Sequence, residues 1–258
     1  MKAFILLKNK LIKSDKLEVT LSCVILLFLW EVLANIINND IYLPTIGQTI
    51  SSLTEILKNN RFYLDISFSI IRSIISFIGA ALGALFLGII SYTNRAFRNF
   101  LYPINSIIQS IPTMILIVLA MIWFNKNNAP FIVGFAIVFP VLYDTVLSSL
   151  VSIDKNILEM AKLYKISLKD RIIKIYIPSI KFKLVPIIIS TYSLVFKVVI
   201  AGEVYGQPNF GMGTMIQLEK VNFNTPGIFA WLIIIILISN LLNKLQDIVS
   251  RRTLRWMS

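Results

Sequence analysis

Six long apolar segments decide what this chain can fold into. They are Leu17–Ile37, Ile66–Thr93, Leu101–Phe124, Pro130–Val151, Leu184–Tyr205 and Pro226–Gln246. A helix that crosses the hydrocarbon layer needs about 20 mostly apolar residues, and each segment is long enough. Only 15% of the residues are charged, whereas soluble domains carry about 25%. We therefore predict an all-α integral membrane protein in which residues 17–246 form six transmembrane helices.

The basic residues are distributed unevenly around these spans. Of the 25 Lys and Arg residues, 19 lie in the two terminal segments and in the second and fourth connections, and four lie in the other connections. The positive-inside rule then places both termini and the fourth connection in the cytoplasm. The N-terminal segment 1–16 and the tail 247–258 are both basic. Because the charges cluster beside apolar runs, the net charge of +12 favours contact with a lipid bilayer over nucleic acid.

Composition also limits the chemistry of the chain. Histidine is absent, and Cys23 is the only cysteine, so the usual general base and Cys-based zinc sites are excluded. The sequence contains no G-x-x-x-x-G-K-[ST] phosphate-binding motif. We expect no catalytic residue, metal site or bound cofactor in this chain, and any use of ATP would need a partner subunit.

The outer segment Asn38–Asp65 predicts a short amphipathic helix. Thr45 or Gly47 would begin it, and its apolar face would lie along the outer surface. The residues on that face are Ile46, Ile50, Leu53 and Leu57. Within the spans, Pro112 and Pro140 are both expected to lie inside helices, where neighbouring helices can satisfy the freed carbonyl groups.

The fourth connection predicts a helix–turn–helix between the fourth and fifth spans, within 154–178. Asp154 can cap a helix that runs to about Lys165, and Ser167 can cap a second helix. Pro178 argues that the second helix ends near Ile177. One interpretation is a solvated basic loop that obeys the positive-inside rule. The other is a docking element that presents an apolar and charged surface to a soluble partner.

This segment resembles the EAA loop of ABC-importer permeases, whose pattern is E-A-A-x-x-x-G, nine residues and then I-x-L-P. Glu159 and Ala161 match the first and third positions, Met160 occupies the second, and Ile175 and Pro178 match the closing pair. In that family the loop supplies the coupling helix that inserts into a groove of the ATPase subunit. The resemblance therefore assigns ATPase coupling to Glu159, Met160, Ala161, Lys165, Ser167, Ile175 and Pro178.

One position departs from the family pattern. Lys165 replaces the usual glycine, and a side chain resists the left-handed conformation by about 1 kcal/mol. We therefore expect a reshaped turn at this position.

The resemblance continues along most of the chain and is closest to the sulfonate/nitrate/taurine branch. "LPTIGQT", "LYPINSIIQSIPTMILIVLAMIWF", "VFKVVIAGEVYGQPNFGMGTMI" and the tail "RRTLRWMS" are similar to conserved stretches of that branch. It implies the permease subunit of an ATP-driven importer for a small, anionic solute in the bacterial cytoplasmic membrane. It also implies a homodimer, two copies of an ATPase subunit that uses the ATP, and an extracytoplasmic solute-binding protein.

Charged and glycine residues at membrane depth are the candidates for a translocation pathway or gate, since such charges are costly and often functional. The candidates are Arg72, Asp144, Lys197, Glu203, Gly211 and Gly213. We expect Arg72 to extend outward to the membrane surface. Lys197 and Glu203 lie about 120° apart on one helix, so each should meet a partner on another helix or line a cavity. A structural ion pair and an attractor for an anionic solute both remain open.

The two glycines surround an irregular outer loop that the resemblance associates with the outer gate, and a plain turn is the alternative. For the whole chain, an ion-coupled secondary transporter or channel is a second possibility, since Asp144 and Glu203 could serve as acidic relay residues. An intramembrane enzyme is disfavoured by the missing histidine.

Overall fold

The structure, a computed structural model, describes residues 2–253, with side chains from Leu17 to Lys244 apart from that of Ile189. These residues form helices and no strand. The helices are α1 (Lys2–Ile37), α2 (Ile46–Lys58), α3 (Phe62–Thr93), α4 (Arg95–Ser110), α5 (Thr113–Trp123), α6 (Ala129–Val151), α7 (Lys155–Leu163), α8 (Leu168–Arg171), α9 (Ile177–Gly206), α10 (Met212–Val221) and α11 (Thr225–Thr253). The side chains of the predicted basic segments 1–16 and 247–258 lie outside the described part.

Four of the predicted spans are single helices and two are bent. Leu17–Ile37, Phe62–Thr93, Ala129–Val151 and Thr225–Lys244 are each long and apolar enough to cross a membrane. The third predicted span consists of α4 and α5, which are bent by 108°, and the fifth bends by 48° between Ile188 and Ser190. If each bent pair counts as one span, the described residues provide the six predicted spans.

Pro112 breaks the third span, so the expectation that it lies inside a helix is wrong. Ile111 adopts an extended conformation with ψ 127°, and Pro112 becomes the residue before α5. A proline pushes the preceding residue out of the helical region because its ring clashes with that residue's backbone. α5 has 11 residues and is about 17 Å long, which is too short to cross the bilayer alone. Pro140 does lie inside α6, as expected.

Pro178 does not end the second helix of the fourth connection, which corrects another expectation. The chain runs from α8 through a π-helical turn, Ile172–Tyr176, directly into α9. In the π turn the amide of Ile177 donates to the carbonyl of Ile172, five residues earlier. The regular four-residue pattern of helical hydrogen bonds is therefore already interrupted at this point. Pro178, which has no amide to donate, removes no further bond from it. The coupling segment therefore continues into the fifth span without a loop, and the helix bends by 48° only later, between Ile188 and Ser190.

The chain divides into two compact units. The first contains the residues up to Asn59 and Leu218–Leu232, and the second contains Asn60–Gln217 and the chain from Ile233 onward. In the first unit, the indole of Trp30 donates to the carbonyl of Pro44 at 2.9 Å. A carboxylate oxygen of Glu31 accepts from the amide of Ile46 at 2.9 Å, which places a negative charge at the N-terminus of α2.

α2 begins as predicted, and it leaves part of its apolar face exposed. Thr45 caps it with a complete capping box that includes Gln48. The residues buried on α2 are Thr49 and Ile56, whereas the predicted face residues Ile50 and Leu57 are 52% and 48% exposed. Exposed apolar side chains are stable against lipid, so the expectation that this face lies along the outer surface stays a prediction.

The second unit is built on the close packing of α3, α6 and α9. Its core includes Ala80 and Ala84 of α3, Leu142 of α6 and Val195 of α9, all fully buried. A Cβ atom at Gly88 would lie 2.7 Å from the Val146 side chain, so glycine is what permits this approach of α3 to α6.

Side chains of α9 also bond to the C-terminal end of α6. The last carbonyl groups of a helix have no partners within the helix. Lys183 donates to the Ser148 carbonyl at 3.2 Å and to the Ser152 hydroxyl at 2.7 Å. The hydroxyl of Ser179 donates to the Ser149 carbonyl at 2.9 Å. A lysine charge beside a helix C-terminus is favourable, so these bonds tie the start of α9 to the end of α6, just before α7.

Candidate gate and coupling loop

One face of α3 carries a row of polar side chains through the membrane-spanning helix. We call it the polar row, and its members are Arg61, Asp65, Ser69, Arg72 and Ser76. Their spacing of three or four residues places them on a single helical face. Asp65, Ser69 and Ser76 are buried, so the row is directed into the protein. Of these five residues only Arg72 was predicted as a site residue from the sequence, although the helical periodicity of the other four was a readable signal.

A buried ion pair joins the polar row to α9. The guanidinium of Arg72 lies 2.7 Å from a carboxylate oxygen of Glu203. The Glu203 side chain is fully buried and the Arg72 side chain is 11% exposed. Arg72 therefore points into the protein and does not extend to the membrane surface, which corrects the expectation. Its position opposite an acidic residue explains the difference, since an ion pair at membrane depth offsets the cost of both charges.

The carboxylate of Glu203 is fully hydrogen-bonded. Its second oxygen accepts from the Ser69 hydroxyl at 2.7 Å and from the amide of Gly213 at 3.1 Å. A buried charge is tolerated only where its attraction to a partner is supplemented by such bonds. The predicted partner on another helix is thus present for Glu203, and it is Arg72.

The same polar row holds the irregular loop 207–211 between α9 and α10. Arg72 donates to the carbonyl of Phe210 at 2.6 Å. Asp65 accepts from the amide of Gly211 at 2.9 Å, and Ser69 accepts from the amide of Met212 at 2.9 Å. These bonds satisfy backbone groups that would be costly at membrane depth without partners.

Arg61, at the end of the row, holds the loop at a further point. Its guanidinium donates to the carbonyl of Asn209 at 2.8 Å and lies over the Phe210 ring at 5.1 Å. The Asn209 amide in turn donates to the side chain of Asn127 at 3.0 Å. The loop is thereby bonded both to α3 and to the segment before α6.

The two candidate glycines are required by close packing in this region. Gly211 has φ +155°, and a Cβ there would lie 2.6 Å from the carboxyl carbon of Glu203. A Cβ at Gly213 would lie 2.3 Å from the carbonyl oxygen of Ile200. Neither position tolerates a side chain, so the loop and the start of α10 lie directly against the ion pair.

A cavity of about 750 Å³ opens beside this loop. Its walls are mostly aromatic and aliphatic, and Arg72 and Asn209 contribute polar groups. The rings of Phe68 and Phe210 both line the cavity and stack at 5.2 Å. The ion pair therefore sits where movement of the loop would change access to a cavity of ligand size.

The other two charged candidates are exposed. Asp144 on α6 accepts from the amides of Asn105 and Gln109 on α4, each at 2.9 Å. Lys197 on α9 is exposed and has no hydrogen bond or ion pair with the described residues. The structure thus brings Arg72, Glu203, Gly211 and Gly213 together, and it gives Asp144 and Lys197 separate environments.

The loop after α6 forms the predicted helix–turn–helix. Asp154 caps α7 by accepting from the Asn156 amide at 2.9 Å. Ser167 caps α8 by accepting from the Asp170 amide at 3.1 Å. The Ser167 hydroxyl and Lys174 hold the pKa of Asp170 below its usual range, so this charged cap is retained at neutral pH and is lost only as the pH falls through that lowered pKa.

Lys165 adopts the left-handed conformation, with φ +49°. The amide of Ile166 bonds the carbonyl of Ala161 at 3.0 Å, and that of Lys165 bonds the carbonyl of Lys162 at 3.0 Å. This is the Schellman motif that usually has glycine at its left-handed position. The turn therefore stays left-handed, and the expectation that lysine would reshape it is wrong, because the two hydrogen bonds and the burial of Ala161 outweigh the cost of the lysine side chain.

Comparison with known proteins agrees with these features. A family model described as the binding-protein-dependent transport system inner membrane component matches residues 79–255, well over half of the chain. The chain belongs to this family. The resemblance to ABC-importer permeases is thereby confirmed.

Two relatives of this permease align over most of its length. A protein described as the aliphatic sulfonates transport permease SsuC of Bacillus subtilis is 22% identical over 236 residues, which cover 90% of this chain and 84% of the relative. A protein described as the ABC transporter permease MJ0413 of Methanocaldococcus jannaschii is 26% identical over 222 residues, covering 84% and 83%. The relatives are transport permeases.

A solved structure shares the fold of this permease. A chain of the MetNI methionine ABC transporter in an inward-facing conformation superposes with a TM-score of 0.62 at 16% identity. The superposition covers 74% of this chain and 95% of the other. The arrangement of the helices around α3, α6 and α9 is thus that of an ABC-transporter permease.

The buried pair makes a first prediction. Arg72→Met should lower the free energy of unfolding by about 3–5 kcal/mol, because it leaves Glu203 buried without its cation. The double variant Arg72→Met/Glu203→Met should recover most of that loss, since no charge remains buried. Thermal unfolding of the purified full-length protein in detergent measures both. Equal destabilisation in the single and double variants would contradict a role for the pair in stability.

The left-handed turn makes a second prediction. Lys165→Gly should slow hydrogen–deuterium exchange at the Lys165 and Ile166 amides about fivefold, because the turn becomes about 1 kcal/mol less strained. Lys162→Gly, inside α7, is the matched control and should speed exchange, since glycine weakens a helix interior. Faster exchange in both variants would show that residue 165 is not left-handed.

Proposed function

We propose that this permease is the membrane subunit of an ATP-driven importer for a small anionic solute of the sulfonate, nitrate or taurine type. It acts as a homodimer in the bacterial cytoplasmic membrane, with both termini in the cytoplasm. Two copies of a separate ATPase subunit hydrolyse ATP, and an extracytoplasmic binding protein delivers the solute. The family match carries the transport role, and the surface of α7 carries the coupling to an ATPase.

α7 exposes an apolar surface on the side of the chain with most basic residues. Met160, Leu163 and Tyr164 are 56%, 79% and 76% exposed. Glu159 is exposed beside them, whereas Ala161 is buried. A capped helix of nine residues that presents large apolar side chains to water is typical of a docking site. A soluble ATPase subunit with a matching groove would bury this surface.

The rest of the loop connects α7 to α9 and could pass a displacement of α7 to that helix. α7 is joined to α8 by the turn at Lys165, and α8 continues through the π turn into α9. Ile175 lies within the π turn and Pro178 follows it directly. Because α9 carries both Lys197 and Glu203, a displacement of the docked α7 would reach the pathway candidates through one helix.

An exposed cation at membrane depth supports the proposal that the solute is an anion. Lys197 is exposed on α9 and no described residue neutralises it. An unpaired charge facing lipid is costly, so a water-filled pathway lined by α9 is the environment that accommodates it. Such a cation attracts anions. The sulfonate relative is consistent with this choice of solute.

The polar row and the 207–211 loop are proposed as the outer gate. The loop is held by hydrogen bonds to charged groups of α3, and these bonds can be exchanged for water when the loop moves. A gate of this kind would open when displacement of α9 separates Glu203 from Arg72.

Docking is tested by charge reversal. Glu159→Lys should lower copurification of the permease with the ATPase subunit of its own transport system, because it inverts the one exposed acid among the large apolar side chains of α7. Asp40→Lys makes the same change of net charge at an exposed residue of another connection and should have no effect. Unchanged copurification of the Glu159 variant, with unchanged transport-coupled ATP hydrolysis, would exclude docking through α7.

The solute pathway is tested by neutralising the exposed cation. Lys197→Met should lower uptake of radiolabelled taurine, nitrate or alkanesulfonate into proteoliposomes at least tenfold, because the pathway loses its attractive charge. Lys181→Met removes an equal charge from an exposed residue near α7 and should retain uptake. Assembly with the ATPase subunit is measured in parallel. Normal uptake by the Lys197 variant would show that this cation is not in the pathway.

A further inference from the structure

A second cavity, of about 320 Å³, lies at the end of α3 that is next to the coupling loop. We call it the α3–α8 cavity. Its walls come from the last turns of α3, from Leu150 near the end of α6, and from α8, the π turn and α9. The lining includes Ile89, Tyr92, Leu150, Arg171, Tyr176 and Ile177. None of the residues proposed for the solute pathway or the outer gate lines this cavity.

The lining is apolar except for one cation and a few hydroxyl groups. The rings of Tyr92 and Tyr176 meet edge to face at 5.9 Å across it. Aliphatic side chains at its rim are partly open, with Ile89 47% and Ile177 51% exposed. A groove with apolar walls and a single charge suits an amphiphile and is poorly suited to a small hydrated ion.

Arg171 is the charged group, and its Nε atom has no partner among the residues that the structure describes. Its Nε atom is buried and makes no hydrogen bond, and none of the described acidic side chains pairs with it. The neighbouring Asp170 is bound to the Ser167 hydroxyl at 2.7 Å and to Lys174 at 3.0 Å. A buried guanidinium nitrogen without an acceptor is costly. An anion bound in the cavity would supply that acceptor.

The level of the cavity in the membrane indicates which kind of amphiphile it would bind. α3 has 32 residues and is about 48 Å long, whereas the hydrocarbon layer is about 30 Å thick. The last turns of α3, from Ile89 to Thr93, therefore reach the level of the lipid headgroups. A basic pocket between transmembrane helices at this level matches an anionic lipid headgroup. The planar guanidinium of arginine also binds phosphate in a bidentate manner.

We propose that the α3–α8 cavity binds an anionic phospholipid. The phosphate lies on Arg171, and part of one acyl chain fills the space against Ile89, Leu150 and Ile177. A free anion such as inorganic phosphate would leave these apolar walls unfilled, so the lipid is the occupant that satisfies both parts of the site. The bound lipid would connect the end of α3 to the π turn and thereby set the position of the coupling loop.

The test is lipid retention by the full-length protein in native mass spectrometry. The protein is equilibrated in mixed micelles with phosphatidylglycerol and phosphatidylcholine of identical acyl chains and is then delipidated stepwise. Wild type should retain phosphatidylglycerol about tenfold more strongly than phosphatidylcholine. Arg171→Gln should bring this ratio close to one, because the phosphate loses its guanidinium partner.

Two matched pairs of variants separate a built site from general surface effects. Lys169→Gln removes an equal charge from an exposed residue outside the cavity and should keep the tenfold preference. Ile89→Trp fills the cavity from its rim and should lower retention of phosphatidylglycerol, whereas Leu82→Trp, on the exposed surface of α3 away from the cavity, should not. The Ile89 pair also keeps the test decisive if Arg171→Gln fails to fold.

Three outcomes would overturn the proposal. The first is equal retention of the two lipids by wild type. The second is an equal loss of preference in the Arg171 and Lys169 variants, which would indicate general attraction to surface charge. The third is unchanged retention in Ile89→Trp, which would place the lipid outside the cavity.

Discussion

The buried ion pair between Arg72 and Glu203 is the interaction on which this region of the permease depends. Two charges at membrane depth are stable only if their attraction and their hydrogen bonds offset the loss of water. Part of that hydrogen bonding comes from neighbouring backbone, through the carbonyl of Phe210 in the loop and the amide of Gly213 in the first turn of α10. The pair and the loop therefore stabilise each other. Displacing the loop would uncover the charges, and separating the charges would release the loop.

α9 links this pair to the opposite end of the protein. Glu203 lies near its last turn, and its first turn follows the π turn that begins after α8. Close to that beginning, Ser179 and Lys183 bond to the end of α6. A single helical element thus connects the surface proposed to meet the ATPase with the loop proposed as the gate. Coupling through such a connection requires an element with two arrangements, and we propose the ion pair and its loop as that element.

Local signals in the sequence predicted much of the loop after α6. Asp154 and Ser167 cap helices as expected because a capping side chain acts on backbone groups two or three residues away. Lys165 and Pro178 were misjudged because each was assessed by its intrinsic preference alone. In the structure, hydrogen bonds from two amides hold Lys165 left-handed, and a π turn accommodates Pro178 without ending the helix. The left-handed preference of about 1 kcal/mol is small enough for such contacts to override, and the larger cost of proline is avoided where the regular helical bond is already absent.

The sequence by itself determined the membrane class, the six apolar segments and the family, since hydrophobicity and motif spacing are local properties that can be read along the chain. It also marked Arg72 and Glu203 as unusual charges, because any charge in an apolar run is conspicuous. Only the tertiary structure decided that these two residues, 131 positions apart, are partners. It likewise decided that Asp65 and Ser69 bind the same loop and that Lys197 stays unpaired among the described residues. The physical reason is that an ion pair requires two side chains at a distance of about 3 Å, and that distance depends on how α3 and α9 pack.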